Sequence, residues 1–367
     1  MPERERIISA DSHVSIRQDD VLARLDTKLH DAYRDARTAF ARSMTEAKPH
    51  KKGKKAASAP QIPNMGEGAP WEAAGRPGEY DPHARRADMD QDRVDAEVLY
   101  SDVSAGAPFY EMGDGYLDAF RAFNSAALGF AAVDPKRLLP VYTVPLVDIH
   151  EAVREVERIA GEGGRAVQLP LYPREIGLES YWDERYDPLW ALLSETGIPI
   201  SQHVGSNEYL MTLLADDPTP AKGIFQSLPP VFMAEVIASW IVPGTLDRFP
   251  GLHVVLVESG LGWIPYYLER LDTMRIRHGW DRMGMSLPEP PSFYWHRQMA
   301  ATFEEDRFGI LNRYDIGVDN LMWATDYPHP DSTWPRSQEV LNAHFDGVPI
   351  DETRQMVAGN AARLYGL

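Results

Sequence analysis

The chain has 367 residues, of which 25% are charged and 44% hydrophobic, a composition typical of a globular protein with a sizeable core. Its 55 Asp and Glu residues outnumber its 37 Lys and Arg residues, and the net charge of -18 argues against a nucleic acid partner. The absence of cysteine excludes disulfides, iron–sulfur clusters, thiolate zinc sites and a cysteine nucleophile. A charged N-terminus and the lack of long apolar runs predict a cytoplasmic protein without a membrane span.

Short apolar runs alternate with segments of helical spacing along most of the chain. Eight runs are predicted to be strands: 6–13, 96–102, 138–146, 166–172, 199–205, 253–260, 293–303 and 321–329. Helices are predicted over residues 116–133, 148–160, 187–196, 231–242, 261–278 and 335–345. Because eight strands separated by helices indicate parallel βαβ units, the sequence predicts the α/β class and a single (β/α)₈ TIM-like barrel over residues 1–367.

Residues 14–85 interrupt this alternation. They follow the first predicted strand, are polar, and include residues 48–55, which hold five of the chain's eight lysines. An insertion at this point lies at the C-terminal rim of a barrel, where lids and binding loops occur, so we predict a lid within the single domain. The segment is either a solvated loop or a clamp for the phosphates of a substrate such as a CoA thioester. The lysines of that clamp are Lys51, Lys52, Lys54 and Lys55.

Histidine and carboxylate residues fall at the C-terminal ends of four predicted strands. In chain order they are Asp11, His13, His203, Glu258, Asp326 and His329. The C-terminal ends of barrel strands converge on one mouth, so three imidazoles and three carboxylates would share a small space. Each residue alone fits a hydrogen-bonded core position or a capping turn. Together they predict a site for a divalent ion such as Zn²⁺, Mn²⁺ or Fe²⁺.

Two residues of the predicted seventh strand are further candidates. His296 is interpreted either as an additional metal ligand or substrate contact, or as a packed strand residue. Arg297 is interpreted either as a partner of a substrate carboxylate or as an ion-pair partner of Glu304 or Glu305.

Five motifs occur in order along the chain: SADSH at 9–13, SQHVG at 201–205, VESGLGWIPYYLERLD at 257–272, WATDYPHPDSTWP at 323–335 and GNAARLYGL at 359–367. Together they resemble the metal-dependent hydrolases of the amidohydrolase superfamily, in the branch that includes aminocarboxymuconate-semialdehyde decarboxylase. The resemblance covers nearly the whole chain outside residues 14–85, and relatives of this fold often form homodimers. It implies that Asp11, His13, His203 and Asp326 are the residues that bind the metal directly.

The sequence departs from this family pattern in three places. The first motif begins with Asp11, where many relatives have a histidine. Glu258 stands where the decarboxylase branch has a catalytic histidine, and Gln168 stands where binuclear members have a bridging carboxylated lysine or a glutamate. The usual bridge is therefore missing, and a second metal would need Glu258, His329 or His296.

Two enzyme functions fit these residues. In the first, one Zn or Mn ion per chain lowers the pKa of a bound water, and Glu258 or His329 moves the proton. The reaction is then hydrolysis, or non-oxidative decarboxylation of a small carboxylic acid. In the second, Glu258 and His329 are ligands too, and two Fe ions per chain activate O₂.

The second function resembles that of the non-haem diiron monooxygenases of platensimycin and platencin biosynthesis. They hydroxylate a bulky diterpenoid carried as a CoA thioester. The carboxylate of Glu258 and the lysines of residues 48–55 favour this function over the first, and it would require O₂ and an external electron donor. A third hypothesis is a metal-binding scaffold without catalysis, because fold does not dictate function.

Overall fold

The computed structural model describes residues 5–45, 75–101, 106–205, 207, 209–210, 223–224, 226–285, 287–329 and 331–367. An eight-stranded parallel sheet forms its centre, in the order β1 to β8. The strands are β1 (Ile8–His13), β2 (Ala96–Tyr100), β3 (Leu138–Thr143), β4 (Val167–Gln168), β5 (Ile200–His203), β6 (Val254–Val257), β7 (Met299–Phe303) and β8 (Leu321–Trp323).

Helices alternate with these strands. In chain order they are α1 (Gln18–Leu22), α2 (His30–Thr45), α3 (Pro82–Asp92), α4 (Tyr116–Ala131), α5 (Ile149–Gly161), α6 (Asp187–Thr196), α7 (Pro229–Ile241), α8 (Thr245–Arg248), α9 (Ile264–His278), α10 (Pro291–Gln298), α11 (Arg307–Leu311), α12 (Arg313–Ile316), α13 (Ser337–His344), α14 (Ile350–Arg354) and α15 (Asn360–Tyr365). The predicted (β/α)₈ barrel is confirmed. In the described residues no helix is long and apolar enough to cross a membrane.

Backbone hydrogen bonds close the barrel between β1 and the segment that follows β8. The amide of Asp326 donates to the carbonyl of Asp11 at 3.0 Å, and the amide of His13 donates to the carbonyl of Tyr327 at 2.6 Å. Three buried hydroxyls, which we call the seam hydroxyls, lie within 3.1 Å of one another behind these bonds. They belong to Ser9, Ser12 and Thr325.

The core has two layers that follow the two faces of the sheet. Alternate strand residues such as Ile8, Val98 and Val257 fill the barrel interior. Residues of the opposite phase, such as Leu256 and Trp323, pack outward against the helices. This alternation is the period of two that a strand imposes on its side chains. It decides which residues after each strand point towards the barrel axis.

The seventh strand is shorter than predicted, because residues 291–298 form helix α10. Pro291 occupies the first turn, where proline is tolerated, and the buried residues recur at helical spacing. Those buried residues are Pro291, Tyr294, Trp295 and Gln298. The prediction of a strand over 293–298 is therefore wrong. A short run of aromatic and apolar residues fits both the period of two of a strand and the 3.6-residue period of a helix, so the sequence pattern did not distinguish them.

The described part of the insertion is helical. Helix α1 packs against α4, and α2 packs against the short 3-10 helix before α4 (Ala107–Gly115), where the ring of Tyr33 stacks on that of Phe109 at 5.8 Å between centroids. In this part the chain is therefore not a solvated loop. The lysines predicted to bind phosphate, Lys51, Lys52, Lys54 and Lys55, lie outside the described residues.

Helix α3, which ends the insertion, ties the two sides of the barrel seam together. The fully buried guanidinium of Arg85 donates to the carbonyl of His13 at 2.7 Å and pairs with Glu97. On the same helix, the carboxylate of Asp88 accepts a hydrogen bond from the hydroxyl of Tyr327 at 2.6 Å. One helix thus holds the end of β1 and the loop after β8 in fixed relation.

Asp92, the last residue of α3, is buried against the start of α13. Its carboxylate accepts hydrogen bonds from the backbone amide of Ser337, at 3.0 Å, and from the hydroxyl of Ser337. Burial outweighs these bonds and raises the pKa of Asp92 to about 6. The ionised form is therefore less stable in the folded protein than in water.

We expect Asp92→Asn to remove one pH-dependent component of stability. Because the pKa of Asp92 is higher in the folded than in the unfolded chain, the folded state gains stability as the pH falls from above 6 towards 4. The free energy of unfolding of the wild type should therefore rise relative to that of the variant, by about 2 kcal/mol, between pH 7.5 and 4.5. Urea unfolding at several pH values measures this difference.

The matched control is Asp90→Asn, on the same helix, where the carboxylate is 65% exposed. Losing the surface ion pair of Asp90 with Arg137 should lower the free energy of unfolding by less than about 1 kcal/mol. Parallel curves for the wild type and Asp92→Asn would contradict the assignment of a raised pKa to Asp92.

Candidate metal centre

A β-bulge in β1 directs Asp11 and His13 into the mouth of the barrel. The register against β2 runs from Ser9 opposite Glu97 to Ser12 opposite Leu99, so β1 carries one extra residue. An extra residue shifts the alternation of side chains, and bulges commonly re-aim side chains near active sites. Asp11 is fully buried and His13 is 6% exposed.

Glu258 and Asp326 reach the same mouth through a left-handed backbone. Their φ angles are 57° and 53°, values that residues other than glycine rarely adopt and that cost about 1–3 kcal/mol. Hydrogen bonds hold both residues: the amide of Glu258 donates to Oγ1 of Thr302 at 2.7 Å, and that of Asp326 to the carbonyl of Asp11. The surrounding structure therefore imposes this conformation on two residues of the cluster.

His203, at the end of β5, is held in one tautomer. Its Nδ1 lies 2.9 Å from the carbonyl oxygen of Val204. Because a carbonyl only accepts, Nδ1 carries the proton and Nε2 has a free lone pair in the neutral ring. That Nε2 lies 3.6 Å from Oδ1 of Asp11 and 3.5 Å from Oε2 of Glu258. This is the arrangement in which a histidine binds a metal.

The remaining contacts join both sides of the barrel seam. Nε2 of His13 lies 3.6 Å from Oδ1 of Asp11 and 2.9 Å from Oδ1 of Asp326. Nδ1 of His329 lies 3.0 Å from the same Asp326 oxygen, and the rings of His13 and His329 stack at 3.7 Å. The structure thus brings together all six residues that the sequence placed at strand ends.

In the part of the chain that the structure describes, potential ligand atoms form two overlapping groups. Within each group the atoms all lie within 4.8 Å of one another. The first comprises Asp11, His13, His203 and Glu258. The second comprises His13, Glu258, Asp326 and His329.

The donor atoms fit a divalent cation because several are buried without a hydrogen-bond partner. They are both carboxylate oxygens of Asp11 and Nε2 of His203. Buried polar atoms normally have partners, and buried charges are normally paired or bound to metal. Imidazole nitrogens together with carboxylate oxygens suit Zn²⁺, Mn²⁺ or Fe²⁺.

Electrostatic interactions within the cluster shift its pKa values strongly. Burial lowers the pKa of His203, but the carboxylates of Asp11 and Glu258 outweigh it and raise the pKa to about 9. Burial and the charge of Asp326 raise the pKa of Glu258 to about 8. Although burial opposes it, His13 and His329 hold the pKa of Asp326 well below its usual range. Without a cation the cluster retains protons, so metal and protons compete for it.

His296 and Arg297 do not join this cluster. Both lie on α10, which precedes β7 and is therefore at the opposite end of the barrel; His296 is exposed. Arg297 donates to the carbonyl of Leu246 at 2.8 Å and to Oε1 of Gln298 at 2.7 Å. The prediction that they lie on the seventh strand near the site is wrong for the same reason as the predicted strand itself.

The sequence analysis missed Glu304 as a residue of the mouth. It directly follows β7, and the charges of Asp326, Glu258 and Asp11 act on it. The signal that could have found it is the one that identified the others, an acidic residue immediately after a barrel strand. The sequence analysis considered Glu304 only as an alternative ion-pair partner of Arg297, together with Glu305.

The chain is similar to a known protein family and to solved structures of the same fold. The profile of the amidohydrolase family, Amidohydro_2, matches residues 26–367. No curated protein matches the sequence.

Three solved structures illustrate the structural likeness. The 5-carboxyvanillate decarboxylase LigW from Sphingomonas paucimobilis has a TM-score of 0.73 and 22% identity, covering 99% of this chain and 100% of its own. An amidohydrolase from Mycobacterium avium subsp. paratuberculosis K-10 has a TM-score of 0.74 and 21% identity, with coverage of 99% and 100%. The 5-carboxyvanillate decarboxylase from Novosphingobium aromaticivorans DSM 12444, complexed with manganese and 4-hydroxy-3-methoxy-5-nitrobenzoic acid, has a TM-score of 0.71 and 18% identity, with coverage of 99% and 96%. At these identities the likeness shows the fold.

We expect His203→Ala to abolish metal loading, because it removes a buried nitrogen aimed at the cluster. After dialysis against Mn²⁺, the bound metal should fall from about one ion per chain to less than about a tenth of that. Plasma mass spectrometry of the desalted protein measures this ratio.

His253→Ala is the matched control, because His253 is half-buried immediately before β6, at the other end of the barrel. It should keep the metal content of the wild type. Equal metal content in both variants would show that the cluster does not bind the ion through His203.

Proposed function

Because the chain belongs to the amidohydrolase family, we propose that it is a metal-dependent decarboxylase of an aromatic carboxylic acid. This corresponds to the first of the two functions considered from the sequence. The observation that carries the proposal is the convergence of Asp11, His13, His203 and Asp326 beside Glu258, with the Asp11 oxygens and Nε2 of His203 buried and without a hydrogen-bond partner. The similarity to two 5-carboxyvanillate decarboxylases, one of them complexed with manganese, supports the choice of reaction and of Mn²⁺.

In this proposal the cation is held by Asp11, His13, His203 and Asp326. When bound, a divalent cation supplies positive charge that stabilises anionic oxygens of an acid substrate. Oriented contacts behind the ligands keep their donor atoms in place. The ring of His203 donates from Nδ1 to the carbonyl of Val204, and the guanidinium of Arg85 donates to the backbone carbonyl of His13.

Glu258 is the proposed proton donor. In the cluster without a cation, burial and the charge of Asp326 raise the pKa of Glu258, so its carboxyl binds a proton more tightly than a free glutamate does. In the reaction the bond between ring and carboxylate carbon breaks, its electron pair remains on the ring carbon, and CO₂ leaves. The proton of Glu258 then bonds to that carbon. The side chain of His329 is 41% exposed beside Asp326, and it returns a proton from solvent.

A diiron monooxygenase remains the second candidate. It is favoured by one observation, the second ligand group with Glu258 and His329. None of the similar structures described above is a monooxygenase, and the lysines invoked for a CoA thioester lie outside the described residues. Two irons per chain together with O₂-dependent hydroxylation would favour this candidate. Metal binding without turnover of either kind would favour the non-catalytic scaffold.

We expect the Mn²⁺-loaded protein to release CO₂ from 5-carboxyvanillate or a related hydroxybenzoic acid, and to stop when a chelator removes the metal. Glu258→Gln should lower kcat about 10²–10⁴-fold, because the amide cannot donate an acidic proton. Its KM should change little. Steady-state measurement of CO₂ release and of the aromatic product gives both constants.

The control variant is Glu269→Gln, an exposed glutamate of α9, which should keep full activity. Unchanged kcat in Glu258→Gln would remove Glu258 from the proton transfer. Absence of CO₂ release from every acid tested, with metal bound, would contradict the proposed reaction.

A further inference from the structure

Glu304 is a carboxyl group of the barrel mouth that the proposed reaction does not use. Its direction follows from the alternation of β7. Ala300 packs against the cluster that fills the barrel interior, and Oγ1 of Thr302 accepts the amide proton of Glu258. The next residue on this inner face is Glu304, so the strand directs it towards the space beside Glu258.

The backbone around Glu304 is fixed on both sides. The carbonyl of Phe303 accepts the amide proton of Ala324 at 2.9 Å. On the other side, Asp306 accepts hydrogen bonds from the amides of Gly262, at 2.8 Å, and of Gly309, at 2.7 Å. The backbone fixed on both sides limits the positions that the carboxyl of Glu304 can reach.

The Oε1 atom of Glu304 is buried without a hydrogen-bond partner among the described residues. The ion pair with Arg297 that the sequence suggested does not form, because Arg297 binds the carbonyl of Leu246 at the far end of the barrel. Buried polar atoms of this kind cost stability unless a ligand satisfies them, and such groups recur in binding sites.

Glu304 is also distinct from the metal ligands. Both groups of closely spaced ligand atoms contain Glu258, and neither contains Glu304. The charged groups that act on it, Asp326, Glu258 and Asp11, are all carboxylates. Burial and these charges raise the pKa of Glu304 well above its usual range when no cation is bound. Whether or not the carboxyl is protonated, its oxygens can accept a hydrogen bond from a hydroxyl.

We propose that Glu304 determines substrate specificity by hydrogen-bonding a ring hydroxyl of the substrate, next to the oxygens that face the cation. A hydroxyl both donates and accepts, and so complements a carboxyl in this position. The substrate class is then an aromatic acid with a hydroxyl beyond those near the cation. This inference rests on the proposed function for its substrate, but binding tests it without turnover.

The experiment compares two probes that differ by one hydroxyl, 2-nitroresorcinol and 2-nitrophenol. Calorimetric titration of the Mn²⁺-loaded protein gives the ratio of their dissociation constants. We expect the wild type to bind 2-nitroresorcinol at least about tenfold more tightly. Glu304→Leu should reduce that preference to less than about threefold, mainly by weakening the binding of 2-nitroresorcinol.

Two further variants separate this role from a structural one. Glu304→Gln keeps the size and hydrogen-bonding capacity of the side chain, and should restore most of the preference. Glu305→Gln changes the adjacent exposed glutamate, and should leave both affinities unchanged. All three variants should bind as much Mn²⁺ per chain as the wild type.

Several results would overturn the proposal. They are equal affinity of the wild type for the two probes, failure of both probes to bind, an undiminished preference in Glu304→Leu, and loss of Mn²⁺ in Glu304→Gln, which would make Glu304 a ligand. Failure of the proposed function is distinguishable, because it would leave the hydroxyl preference intact while no CO₂ is released from any acid.

Discussion

The seam between β1 and the segment after β8 is the contact on which the candidate site depends. Two backbone hydrogen bonds cross it, from Asp326 to Asp11 and from His13 to Tyr327, and the seam hydroxyls lie behind them. These bonds set the separation of donor atoms from both strands. A small displacement along the seam would therefore separate the proposed ligands as well as open the barrel.

The mouth concentrates carboxylates and imidazoles that retain protons when no cation is bound. Several carboxylates converge there, two residues adopt a left-handed backbone, and several donor atoms lack partners. Such arrangements destabilise a fold unless function requires them, because burying charge and straining backbone both cost free energy. A bound cation offsets much of that cost. Stability and function are thus joined at one place, which is typical of metal sites.

The sequence was sufficient for the barrel and for the six residues of the cluster, because strand ends in such a fold share one rim. It was not sufficient where a short apolar run fits both a strand and a helix, as at His296. It could not show the bulge before Asp11, since alternation assumes a regular strand. Glu304 was missed because the predicted seventh strand began at residue 293 instead of 299. Arg297 was therefore placed on that strand, and Glu304 was considered only as its ion-pair partner.

The closure of the barrel also has a consequence for the order of events during biosynthesis. The seam joins residues 316 positions apart in the chain, Ser9 and Thr325, so the two halves of the cation site meet only after almost the whole polypeptide has left the ribosome. Contacts between such distant segments form late and slowly. A chain that ends before Asp326 would carry Asp11, His13, His203 and Glu258, but it would lack the backbone bonds from the segment after β8 that position Asp11 and His13. Acquisition of the cation should therefore mark the completion of folding, and a cell short of that ion would accumulate closed but weakened barrels.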